Sequence, residues 1–188
     1  MKIPFLIVRA SLLIALALPA AHADQPVMAA WARHEVQLSY MGFTTRYSCD
    51  GLEDKTRLLL KYVGVRPDFK VTSYGCPGMT QITEFPRVKM VFFAPVIPAA
   101  NSKDVGDPAP AAWHKVIITQ RQPRDLELGD CELVEQFRDK VLSLLTTRNM
   151  VDRISCIPHQ LAGSVINLQF EVLRGLPSAD LQKKALTQ

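Results

Sequence analysis

Residues 48–77 read SCDGLEDKTRLLLKYVGVRPDFKVTSYGCP, with Cys49 and Cys76 near the two ends. The stretch begins where an alternating segment stops. Asp50 is placed to cap a helix and Glu53 stands where a capping-box partner belongs. Leu52, Leu59 and Val63 recur at helical spacing, flanked by Leu60 and Tyr62. Gly64 can end the helix in a left-handed conformation, and Pro67 prevents its return. Phe69 to Tyr74 is then a strand, and Cys76-Pro77-Gly78 a turn. The unit is strand, cysteine, helix, strand, cysteine.

The same plan returns with Cys131 and Cys156. The steps are 27 residues for the first cysteine pair and 25 for the second. Aligning Cys49 with Cys131 sets Leu52 on Val134, Glu53 on Glu135, Leu59 on Val141, Leu60 on Leu142 and Val63 on Leu145. This is a match of pattern more than of identity, and it predicts an internal repeat.

Working outward, Val36 to Tyr47 alternates loosely and predicts the first strand, preceded by a leader from Asp24 to Arg33 without a clear period. Val88 to Val96 predicts a third strand, with Val88, Met90, Phe92 and Ala94 on one face. Pro95, Pro98, Pro108 and Pro110 punctuate residues 95–112, which read as a Pro/Ala-rich linker. Trp113 to Thr119 opens the second half as a strand. Asp130 can cap a helix whose apolar face is Leu133, Val134, Phe137, Val141, Leu144 and Leu145. Val151 to Ser155 is a short strand. In the last strand, Val165 to Leu173, Ile166, Leu168, Phe170 and Val172 face in, while Asn167, Gln169 and Glu171 face water.

The fold class that follows is α+β: two strand-helix-strand-strand units over 24–94 and 113–176, joined by 95–112, with a tail at 177–188. Both helices pack on one face of a mixed sheet. The layout resembles a ferredoxin-like fold with an added strand, a likeness of architecture that carries no activity.

The first 23 residues carry Lys2 and Arg9, an apolar run from Ala10 to Leu18, and the A-x-A site Ala21-His22-Ala23. This is the pattern of a cleaved signal peptide, with the mature chain starting at Asp24 in the periplasm or outside the cell. The residue after the site is no cysteine, so no lipid attachment is indicated, and no later apolar run reaches membrane length. Without the leader, 20 Lys and Arg face 18 Asp and Glu. That near balance argues against nucleic-acid binding, which needs a concentrated basic face.

Four cysteines in an exported chain imply disulfides, and three pairings are possible. A strand-helix-strand unit makes its strands parallel, which brings Cys49 and Cys76 to one edge, and Cys131 and Cys156 likewise. The expected pairs are therefore Cys49–Cys76 and Cys131–Cys156. Crossed pairing such as Cys49–Cys131 stays open on spacing alone.

No G-x-S-x-G, Walker loop, G-x-G-x-x-G, H-E-x-x-H or C-x-x-C occurs. Met79 and His159 each follow the second cysteine of a half by three residues, and a thioether with an imidazole suits copper. Asp50, Glu53, His114 and Glu135 are the titratable residues that an unrecognised enzyme site would draw on. Three readings result. The leading one is an exported, disulfide-bonded binding or accessory protein without catalysis, acting on a protein or small molecule of the cell envelope. Its surface would be the groove between the halves or the wet face of the sheet. The alternatives are a periplasmic copper or other metal-binding protein, and an enzyme.

Overall fold

The computed structural model describes residues 25–78, 80–98 and 106–176. Residues 1–24, Met79, residues 99–105 and the tail from Pro177 lie outside them. The elements run β1 (Val27–Ser39), α1 (Cys49–Val63), β2 (Lys70–Tyr74), β3 (Arg87–Val96), β4 (Pro108–Thr119), α2 (Cys131–Lys140), β5 (Thr147–Asp152) and β6 (Asn167–Gly175). They form an α+β fold with one six-stranded sheet in the order β2-β3-β1-β4-β6-β5.

All neighbouring strands are antiparallel, so the expected mixed sheet is corrected. The physical reason is the position of β3. It lies between β1 and β2 and pairs with both, so the two strands that flank α1 share a direction without touching. β6 separates β4 from β5 in the same way.

β1 and β4 meet over only four residue pairs, Val27↔Ala111 to Ala30↔Pro108. Beyond that seam β1 pairs with β3 and β4 pairs with β6. The seam explains two departures from the sequence reading. Val27–Arg33, expected as a leader, is strand, and Pro108–Ala112, expected inside the linker, opens β4. Alanines and prolines carry little strand signal. Here they serve close approach of two strands, and Trp31 N–H donates to Asp107 O at 3.1 Å just past the seam. Residues 40–47, expected as the end of a strand, form the connection to α1.

In the row Val71, Met90 and Val36, three strands present one face, and Val116 lies opposite Phe170 on the same side. That face packs with both helices in a single apolar cluster. α1 contributes Leu52, Leu59, Leu60 and Val63, and α2 contributes Leu133, Val134 and Phe137. The opposite face carries a smaller cluster over the seam, Ala29, Ala111 and Leu173, edged by Val27 and Trp113.

The cap of α1 differs from expectation. Ser48 is the N-cap, its Oγ accepting from Gly51 N–H at 3.1 Å, and Asp50 lies in the first turn. Glu53 turns to β2, where it accepts from the Ser73 N–H and hydroxyl at 2.8 Å each. Gly64, at φ 82°, ends the helix with its N–H on Leu60 O and Lys61 O. α2 stops at Lys140, and a 3-10 turn at Leu142–Leu144 rotates Leu144 outward while Leu142 and Leu145 stay buried. β5 falls earlier than expected because it is an exposed edge strand of mostly polar residues with a register shift between Arg148 and Val151, so it shows no alternation.

Candidate functional site

The two disulfides join Cys49 to Cys76 and Cys131 to Cys156, with Cα separations of 6.4 and 5.7 Å. Each ties the first residue of a helix to the connection that follows the next strand. Loops of this size are worth roughly 3 kcal/mol each on the chain-entropy account.

These bonds fix the helix starts, and the helix starts hold the other half of the molecule. The Asp130 carboxylate, at the head of α2 and 3% exposed, accepts from the Tyr47 hydroxyl on one oxygen. Its other oxygen accepts from Lys55 Nζ of α1 and from Glu127 N–H, both at 2.8 Å. Burial, and then the Asp130 carboxylate, push the Tyr47 hydroxyl well above the usual tyrosine range, so it stays a proton donor. Glu132, 6% exposed, accepts from the Phe43 and Thr44 N–H groups at 2.9 Å each. Gln136 exchanges two hydrogen bonds with the Met41 backbone. Thus α2 grips the β1–α1 connection. In return α1 grips the β4–α2 connection, with Lys55 Nζ on Asp125 O at 2.6 Å, and Tyr62 reaches β4, its hydroxyl on Ile117 O at 2.9 Å.

Between α1 and the β4–α2 connection lies a cavity of about 690 Å³. Leu58 and Phe69 give it apolar wall. Lys55, Arg57, Lys61 and Arg124 face Asp54, Asp125 and Glu127 around it. Through Leu58 and Lys61 it adjoins a second cavity of about 440 Å³, lined also by Tyr62, Lys115, Val116 and Arg174. Through Arg124 and Glu127 it adjoins a third, of about 480 Å³, which adds Arg121. Together they make a furrow along α1 whose walls come from both halves and whose cations outnumber its acids.

The residues singled out from the sequence are dispersed. Asp50 and Glu53 belong to α1, His114, itself exposed, to the face of β4 shared with Val116, and Glu135 to α2. No hydrogen bond or ion pair joins any of them to another among the described residues: Glu53 pairs with Arg57 and Glu135 with Arg138. His159 is exposed, at φ 63°, with its ring 5.4 Å from that of Phe43. Met79 lies outside the described residues, which contain no group of three or more His, Cys, Asp or Glu that could hold a metal. No helix among them is long and apolar enough to cross a membrane.

Sequence reading missed Asp130 as a buried carboxylate, along with Glu132, Tyr47 and Lys55. The one available signal was the pair of acids flanking Cys131, at the start of a helix whose next residues are apolar. Comparison with protein-family models, with curated proteins and with solved structures gave no match.

Proposed function

We propose that this chain is an exported, disulfide-bonded binding or accessory protein of the cell envelope, and that it binds through the furrow beside α1. The observation that carries the reading is a cavity of about 690 Å³ built jointly by α1 and the β4–α2 connection. Clefts between packed units, with apolar wall and a few charged groups, are the usual form of a ligand site. The signal-peptide pattern and two disulfides support export.

An internal duplication underlies the furrow in this account. The offset that carries Cys49 to Cys131 also carries Trp31 to Trp113 and Arg66 to Arg148. Arg66 lies 5.4 Å from the Trp31 ring and Arg148 lies 4.3 Å from the Trp113 ring. The same offset maps three of the four seam pairs onto one another: Val27↔Ala111 becomes Ala29↔Ala109, and Met28↔Pro110 maps onto itself. The strand order also reads alike from both ends. The ferredoxin-like comparison rests only on the strand-helix-strand connection within each half.

The test is site-specific cross-linking in the exporting cell. A photo-reactive amino acid in place of Arg124 should give a discrete adduct. The same substitution for Met150, exposed on the opposite edge strand β5, should give none. No adduct at Arg124, or adducts at Met150 alone, would refute the furrow as the binding surface.

A further inference from the structure

We infer that the end of the furrow between α1 and β4 is an anion site, taking a ligand with a carboxylate or phosphate on an apolar body. This deepens the furrow reading and rests on it for its location.

The Arg174 side chain comes from β6, is half-buried, and reaches the last turn of α1, where Nε donates to Val63 O at 3.1 Å and Nη2 to Tyr62 O at 2.6 Å. Those carbonyls orient the guanidinium but supply no full negative charge. No carboxylate stands within ion-pair distance of Arg174, Lys61 or Lys115 among the described residues. A partly buried cation without a counter-charge is unfavourable unless something fills that role.

The adjoining cavity of about 440 Å³ is lined by those three cations and by no acid. Leu58, Tyr62 and Val116 complete the wall and suit an apolar or aromatic body behind the charged head. The nearest acid by strand pairing, Glu171 opposite Lys115, is bonded to Arg148 and Asn149 and acts on Lys115 only as a charge at longer range. His114, on the strand face shared with Arg174, is held below the usual histidine range by burial and then by the Arg174 charge. An anion seated at Arg174 would offset that charge and raise the His114 pKa, which gives the site a reporter.

The test is an NMR titration of the disulfide-bonded protein with benzoate, inorganic phosphate and neutral benzamide. Benzoate or phosphate should shift resonances of Lys61, Lys115 and Arg174 and raise the pKa of His114. Benzamide should do neither. Lys61→Gln with Lys115→Gln, at two exposed positions, should weaken the anion about tenfold and leave the spectrum folded. Arg174 itself is left in place because it holds the end of α1. Benzoate alone marks a carboxylate site and phosphate alone a phosphate site. Equal binding of benzamide, no shift with either anion, or an unchanged affinity in the double variant overturns the proposal. Cross-linking at Arg124 combined with no anion binding would overturn the anion site and leave the furrow reading standing.

Discussion

At the scale of single residues, the most telling side chains are polar groups taken inside. His34 sits on the core side of β1 beside Phe92, ring centroids 5.2 Å apart, and its buried Nε2 has no partner among the described residues. Burial lowers its pKa, so the folded state favours the neutral ring. As pH falls below the unfolded value near 6.5, the unfolded chain takes up the proton first and stability drops. His34→Leu removes that term. The variant should gain more stability over the wild type at pH 5.5 than at pH 7.5 in chemical denaturation. An equal difference at both pH values would show that His34 does not titrate on unfolding in this range. No spacing rule distinguishes such a histidine from a solvated one, because Arg33, His34 and Glu35 interrupt the apolar alternation of β1. The cysteines were legible for the opposite reason: oxidation and an even count constrain them before any packing is known.

At the scale of elements, each helix has two tasks. It buries an apolar face on the sheet, and its polar residues hold the connection that leads into the other helix. The first task was legible from 3,4 spacing in both helices. The second was not, because hydrogen bonds from the Phe43 and Thr44 N–H groups to Glu132 span 89 and 88 residues and leave no periodic trace. Glu132→Ala should therefore destabilise the protein by about 2–3 kcal/mol, since two N–H groups lose a charged acceptor. Amide exchange at Phe43 and Thr44 should rise more than at Leu59 in the middle of α1. A change under about 0.5 kcal/mol, the size of an ordinary surface substitution, would show that α2 does not hold this connection. The seam was the least legible element. Ala29, Ala30, Pro108 and Pro110 read as leader and linker, yet their small or rigid side chains permit the one place where the halves share a ladder.

At the scale of the whole molecule, the furrow exists only while the two halves stay in register, and three devices hold them so. The four-pair seam joins the sheet, the single core cluster spans both helices, and the Asp130–Lys55–Tyr47 group binds α2 to α1 and its leading connection. The halves thus form one body with a fixed surface between them. The chain contains two tryptophans, Trp31 on β1 and Trp113 on β4, one for each half. Trp31→Phe and Trp113→Phe therefore give proteins with a single tryptophan each, carried by β4 in the first and by β1 in the second, close to the seam in both. Denaturant unfolding of each, followed by fluorescence and by far-UV circular dichroism with the disulfides intact, is the direct test. Within each protein both probes should trace one transition with the same midpoint and slope, as a single cooperative unit requires. A fluorescence transition displaced from the circular dichroism transition in either protein would mean that the halves unfold separately, and would contradict a furrow held between them.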